Sequence, residues 1–322
     1  MSNQIFNPSK MKAHHYQCRL MGCSFVLTAV HQEPQIAWNA IRGAEAEIKR
    51  IEAIISSWIP TSQTGIINKM AGIAAVRVDQ ELYALISRSN KISELTSGAF
   101  DISGTLARYY WNFNNDKNEN LSREKVSKLR SLIGYKNIKI DPSQRTVFLK
   151  KKGMKIGFGG IGKGYAATKA KLIMKENGIQ SGLINASGDL ICWGCPPLKS
   201  EWVVKIPNPK TRKASLMHFT LPYGAIVTSG NHEHFTIIDG KKHSHIVDPR
   251  TGYPVSHIQQ VTVVSPDPEF ADAMATALSA LSIDEGIKVV NLLKGIECVI
   301  VDSHNQIYYS NHFLKFISAK AA

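Results

Sequence analysis

Cysteine is scarce in this chain. Cys18, Cys23, Cys192, Cys195 and Cys298 are the five in 322 residues. So sparse and odd a set argues against a disulfide framework, which serves small secreted domains that cannot build a core. A structural zinc module needs two pairs at fixed spacing, and only Cys192-Trp-Gly-Cys195 has that spacing. As a redox motif the same pair would want a helix N-terminus to lower its first thiol's pKa. It follows a strand-like run and leads into Pro196-Pro197 instead, which reads as a loop. Long apolar runs are missing as well. No stretch of 18 apolar residues occurs, so no membrane span is expected. Residues 1–16 hold Lys10, Lys12, His14 and His15 with no apolar segment behind them, unlike a signal peptide. A chain that naturally starts at Met1 is expected in the cytoplasm; a start further upstream would leave the cell envelope open.

Acidic residues are outnumbered, 25 against 39 Lys and Arg, for a formal charge of +14. That surplus favours anionic partners such as nucleotides, nucleic acid or acidic proteins. The basic residues are scattered, with short clusters only at Lys150-Lys151-Lys152 and Lys241-Lys242. No basic stripe interleaved with aromatics is present, so no nucleic-acid partner is expected.

What is there is an ordinary globular composition, 43% hydrophobic and 20% charged, with ample length for a core. Tyr16 to Val30 reads as a strand pair, or one long strand, interrupted near Gly22. Pro34 to Ser56 carries Ile41, Ala44, Ile48, Ile51 and Ile55 at helical spacing. Asp79 is placed to cap a second helix that runs to Leu95, and Ser122 to Leu132 reads as a third. Strand-like runs follow at 137–140 and 147–149, then a glycine-rich segment opens a helix that stops at Gly178. Beyond Gly182 short apolar runs dominate, at 183–185, 190–193, 202–206, 226–228, 235–238, 243–247, 260–264 and 296–301. Helices early and strands late argue α+β, a mixed-sheet core with flanking helices. A polar extension over 1–16 and one functional domain over 17–322 are expected, with a division into lobes near 150–180 as one option. The polar run 112–120 reads as a loop insertion.

Four segments can carry chemistry. Asp272 and Thr276 lie four apart on a helix through Leu281, so carboxylate and hydroxyl share a face, at the edge of an apolar stripe beside Ala275. Two hard oxygen groups side by side suit a magnesium ion that takes further ligands from phosphates; such pairs also occur on ordinary helices. Gly157, Gly159, Gly160, Gly162 and Gly164 surround Lys163 ahead of a helix, either a phosphate cradle or a tight strand-to-helix corner. No Ser or Thr follows Lys163, so this is not a Walker A loop. Thr228-Ser229-Gly230-Asn231 reads as a polar turn able to offer hydroxyls and amides to phosphate, or as a hairpin. His243 and His245 would share a strand face, as would His232 and His234; one histidine near a phosphate could act as acid, base or hydrogen bonder. Asp101, just after Gly98-Ala99-Phe100, either caps the next turn or holds a ligand ring or ribose.

In their order along the chain these segments resemble the FAD:protein FMN transferases, the ApbE-type family. Met21-Gly22, Ser62 to Asn68, Gly98-Ala-Phe-Asp101, Gly159-Gly-Ile-Gly-Lys-Gly-Tyr165, Asn185-Ala-Ser-Gly-Asp189, Thr228-Ser-Gly-Asn231, His245-Ile-Val-Asp-Pro-Arg-Thr-Gly252 and Ala271-Asp-Ala-Met-Ala-Thr276 carry the likeness. The resemblance implies that family's fold and a reaction in which FAD is split at its pyrophosphate. FMN passes to a Thr or Ser hydroxyl of an acceptor flavoprotein, within a Ser/Thr-Gly-Ala-Thr-like motif, and AMP leaves. It implies Mg²⁺ on Asp272, Thr276 and a backbone carbonyl near Gly160. It also implies flavin and adenine contacts at Met21, Asn68, Ala99, Phe100, Asp101, Lys163, His245 and Ile246. His245, with Asp272 as helper, is the candidate for activating the acceptor hydroxyl. Hydrolysis of FAD to FMN and AMP, or FAD binding without turnover, are the alternatives. Cys23, Gly157 and Ser187 stand where the family usually has Thr, Asp and Gly.

Overall fold

The computed structural model describes residues 10–111, 113, 121–209, 215–221, 224–230, 235–238 and 241–318. The chain opens with a hairpin of β1 (Lys12–Leu20) and β2 (Cys23–His31). Its two-residue turn puts Met21 at φ 52° and Gly22 at φ 75°. Two left-handed residues match the right-handed twist of the strands they join. The strand starts at Lys12, so residues 12–16 belong to the sheet and not to a polar extension. At a sheet edge such a polar strand needs no apolar alternation, which is why the sequence pattern hid it.

Next come α1 (Pro34–Ile55), α2 (Gln63–Lys69), β3 (Val76–Arg77) and α3 (Gln80–Leu95). The predicted stripe of α1, Ile41, Ala44, Ile48, Ile51 and Ile55, is buried, and Ala37 and Ala40 extend that face toward the helix start. Burying its four isoleucines is worth on the order of 10 kcal/mol before the entropy of ordering the chain is subtracted. A 3-10 stretch, Ile102–Tyr109, leads to α4 (Arg123–Leu132), β4 (Ile138–Asp141) and β5 (Thr146–Leu149). Most of the run 112–120 lies outside the described residues.

The second half holds α5 (Gly162–Glu176), β6 (Ser181–Ala186), β7 (Asp189–Trp193), β8 (Trp202–Pro207), β9 (Ser215–Leu221), β10 (Gly224–Gly230), β11 (Phe235–Ile238) and β12 (Lys241–Ser244). Then follow β13 (Ile258–Ser265), α6 (Pro268–Ala280), α7 (Ile283–Asn291), β14 (Glu297–Asp302), β15 (Ile307–Tyr309) and α8 (Phe313–Ser318). One eight-stranded sheet runs β1-β2-β6-β7-β10-β13-β14-β15. The α+β expectation holds, but every neighbouring pair in this sheet is antiparallel, so it is not mixed in strand direction. Helices α1, α5 and α6 pack on the sheet and on one another, while the β8–β9 hairpin and Phe313 close over Cys192, Ile226, Val264 and Val299 in a second cluster. With cover on both faces β13 is buried along nearly its whole length. The main core joins Ile41 and Ile48 to Val261 and Met274, so it runs unbroken across residues 150–180.

Two local expectations change. Cys192 is a fully buried strand residue donating from Sγ to the Leu221 carbonyl, and only Cys195 is an exposed loop residue. The pair therefore straddles a strand end, where no helix start acidifies either thiol. Thr228, Ser229 and Gly230 are not a turn but the last residues of β10, paired with β13. Asn231, His232 and His234 lie outside the described residues.

Candidate active site

A cleft of about 1030 Å³ gathers segments from the whole chain, including the β1–β2 turn, the end of α1, parts of residues 99–108, the glycine-rich corner, the ends of β7 and β10, the loop after β12, and α6. At that size it is at the top of the range for small-molecule and cofactor sites. Of the residues singled out from sequence, it brings together Met21, Ala99, Phe100, Asp101, Gly160, Lys163, Thr228, Ser229, His245, Ile246, Asp272 and Thr276.

Helix α6 begins where Asp267 accepts hydrogen bonds from the Glu269 and Phe270 amides and Pro268 takes the first helical turn. Small residues then let the helix lie close to β10, β13 and α5. Asp272 is consequently 1% exposed, buried well inside the helix's packing and not at the edge of a stripe. A buried carboxylate must be paired and hydrogen-bonded. One oxygen accepts from the Gly164 amide at 3.0 Å, the other from Lys163 Nζ at 3.0 Å. Lys163 also reaches Asp189 Oδ2 at 3.2 Å, and the other Asp189 oxygen accepts from the Thr228 amide at 3.0 Å. Two buried carboxylates therefore share one ammonium, leaving the group one negative charge in excess. Burial alone would depress the Lys163 pKa, but Asp272 and Asp189 outweigh it and hold the ammonium charged. Burial, opposed by Lys163 and reinforced by Asp272, raises Asp189 above the usual carboxylate range.

The close contact of α5 with α6 depends on glycine. A Cβ on Gly164 would stand 2.2 Å from the Pro268 carbonyl oxygen and 3.0 Å from Asp272 Cβ. Gly164→Ala should therefore lower stability by about 1–3 kcal/mol, the usual range for overpacking, and loosen Asp272. Thermal unfolding measures the first effect; an unchanged Tm would show that the corner has slack. A Cβ on Gly160 would lie 2.7 Å from Thr276 Oγ1. That approach brings the Thr276 hydroxyl to 3.5 Å from the Gly160 carbonyl oxygen, one helical turn from Asp272.

Carboxylate, hydroxyl and carbonyl are hard donors of the type magnesium prefers, and magnesium keeps places for water and phosphate. Among the described residues no three His, Cys, Asp or Glu side chains converge on a metal position. A divalent ion here would be completed by water or phosphate, and a lysine ammonium already lies on Asp272. The residues fit such an ion.

Other assignments divide. Asn68 does not line the cleft; its amide donates to the Ile156 carbonyl at 2.9 Å and accepts from the Ile156 amide at 2.7 Å. It clamps the strand-like segment leading to Gly157. Asn68→Ala leaves both backbone groups unpaired and should cost about 2 kcal/mol or more in a chemical-denaturation experiment. Asp101 lines the cleft, yet it takes the capping part: it accepts from the Ser103 amide (2.8 Å), the Ser103 hydroxyl (2.6 Å) and the Tyr135 amide (2.6 Å). Burial raises its pKa and those three bonds oppose the rise. The Thr228 hydroxyl pairs with the Thr262 hydroxyl at 3.0 Å.

His243 ends up on β12 with Nδ1 at 3.1 Å from the Pro254 carbonyl, whereas His245 lies past the strand end, so the two do not share a strand face. The His245 loop is held firmly. The Ser244 amide bonds the Val255 carbonyl and the Val255 amide bonds the Ile246 carbonyl. Arg250 grips Asp248 with Nε and Nη2 and passes a further Nη2 bond to the Ala280 carbonyl at 2.8 Å, at the end of α6.

Sequence reasoning did not assign Asp189, although it closes the quoted Asn185–Asp189 segment. It also missed Glu52, whose carboxylate accepts from the Met21 amide at 3.0 Å and fixes the hairpin turn against α1. Arg108 lines the cleft with no ion-pair partner among the described residues. Cys23 lines it too, its thiol pushed up to about 11 by burial, so it is a neutral thiol at pH 7 and not a thiolate nucleophile.

Known proteins resemble this chain over most of its length. A 306-residue alignment gives 26% identity to an FAD:protein FMN transferase of Klebsiella pneumoniae, covering 94% of this chain and 93% of that one. The enzyme of the same name from Buchnera aphidicola is 29% identical over 277 residues, 83% of this chain and 80% of that one. The crystal structure of the ApbE protein from Thermotoga maritima superposes with a TM-score of 0.86 at 30% identity, covering 95% of this chain and 99% of that chain. The ApbE family model matches residues 21–300, the span that holds the cleft and every residue lining it, and the chain belongs to that family.

Proposed function

We propose that this protein transfers FMN from FAD to a Ser or Thr hydroxyl of an acceptor flavoprotein and releases AMP. The observation that carries this reading is the group of Lys163, Asp272 and Asp189 at the start of α5, beside the Thr276 and Gly160 oxygens, in one cleft with His245. Transfer at phosphorus needs positioning and charge neutralisation more than covalent chemistry by the protein. A magnesium ion held by Asp272, Thr276 and the Gly160 carbonyl would neutralise pyrophosphate charge. Lys163 and the positive N-terminal end of α5 add to that neutralisation. Arg108 offers a further guanidinium to the anionic substrate. Ala99 and Phe100, 1% and 3% exposed, give the cleft a dry apolar wall for a flavin or adenine ring.

In the reaction the acceptor oxygen forms a bond to the FMN phosphorus as the bond from that phosphorus to the AMP oxygen breaks. The hydroxyl proton passes to His245, the type of side chain that most often takes this part. The products are a phosphodiester-linked FMN and AMP. Incubating the protein with FAD, Mg²⁺ and an acceptor carrying a Ser/Thr-Gly-Ala-Thr-like motif, then weighing the acceptor, tests the proposal. A gain of one FMN together with AMP supports it. AMP without the gain means hydrolysis, and no AMP means binding only. No helix among the described residues is long and apolar enough to cross a membrane.

A further inference from the structure

We infer that Lys163 is the resident cation of the metal site, displaced from Asp272 when a divalent ion binds and retained in the cleft by Asp189. This rests on the reading of Asp272 as a metal ligand and not on the transfer reaction. Asp272 and Asp189 are built alike: each is nearly fully buried, with one oxygen on a backbone amide and the other on the same lysine nitrogen. Their amide partners, Gly164 and Thr228, are fixed in α5 and β10. The movable member is the four-carbon lysine stem, whose side chain keeps 28% of its exposure.

Without a divalent ion, the ammonium compensates two carboxylates that burial would otherwise penalise. A divalent ion on Asp272 Oδ1 would repel an ammonium only 3.0 Å from that oxygen. Lys163 must then leave Asp272, and the bond to Asp189 keeps its charge beside the bound anion instead of releasing it to solvent. Asp189 is thus a positioning residue: it touches no reacting atom and acts through Lys163. Metal binding therefore includes the cost of displacing an internal competitor, which reduces apparent affinity by the fraction of molecules with Asp272 uncovered.

The test uses full-length protein and Mg²⁺ alone, without FAD, followed by calorimetry and by the rise in Tm. Lys163→Met should bind Mg²⁺ about tenfold or more tightly than wild type, because the competitor is gone. Lys163→Arg keeps the charge and should restore weak binding. Asp189→Asn confines the ammonium to Asp272 and should weaken Mg²⁺ binding severalfold. Arg108→Met removes a cleft cation that does not touch Asp272, and should change affinity by less than about threefold, as expected for a screened distant charge. Equal affinity of wild type and Lys163→Met overturns the inference, as does an equal gain from Arg108→Met, which would make the effect a general field. If Lys163→Met does not fold, Lys163→Gln and Asp189→Asn carry the same comparison with opposite expected signs. Loss of transfer with these Mg²⁺ affinities intact would count against the proposed reaction and leave the exchange standing.

Discussion

Asp272→Asn should lower AMP release from FAD by about a thousandfold or more. Charge stabilisation of a transferring phosphoryl group by a metal ion is worth several kcal/mol, and about 1.4 kcal/mol corresponds to each factor of ten. Asparagine keeps the shape of the side chain and an acceptor oxygen for the Gly164 amide, so the corner between α5 and α6 keeps its contact. Asp272→Ala is the harsher change. It leaves that amide and half of the Lys163 pairing without a partner at a position 1% exposed, a loss of about 3–5 kcal/mol. The measurement is AMP production by chromatography at several Mg²⁺ concentrations, alongside circular dichroism. A folded Asp272→Asn protein with wild-type AMP release and unchanged Mg²⁺ dependence would remove the metal site from the account.

His245→Ala should slow acceptor flavinylation by about 10²–10⁴-fold, the range for loss of a general base, while FAD affinity changes little. In the proposed reaction the imidazole would take the acceptor's proton, while the pyrophosphate charge would be met by Lys163, Arg108 and a bound divalent ion. The two effects separate when FAD binding is followed by flavin fluorescence and transfer by acceptor mass. Transfer at the wild-type rate across the pH range would assign the proton to water or to another group. A parallel collapse of FAD binding would make His245 a binding residue first.

The sequence made some of this visible and hid the rest for identifiable reasons. The α1 stripe is legible because a 22-residue helix repeats its buried period several times. The Asp272–Thr276 pair is legible because both partners lie on one helix. Asp189 is not, since its partner Lys163 comes from another element and the pairing exists only once β7 and α5 are packed. Asn68 lies inside a family-like segment, but a motif does not say whether an amide faces a ligand or, as here, a neighbouring backbone. The histidine pairing failed for a local reason: β12 stops at Ser244, so spacing of two no longer means one face. Helix α7 was overlooked although its signal is present, a capping box between Ser282 and Glu285. The three-residue β15 carries too few residues for alternation to register.

The grip of Arg250 on Asp248 and on the end of α6 bears on how firmly the cleft is held. It fastens the segment bearing His245 to the helix bearing Asp272, while the Trp111 indole, bonded to the Gly252 carbonyl at 2.9 Å, ties the same segment to the end of the Ile102–Tyr109 stretch. A rim loop tied in this way inherits the stiffness of a buried helix, so His245 and Asp272 belong to one firmly held body. Elsewhere on the rim, Trp58 is 63% exposed and leans on Tyr109, itself 46% exposed, with Lys155 over the Tyr109 ring. The relative placement of His245 and Asp272 is thereby set during folding and does not have to be found again each time the cleft is filled.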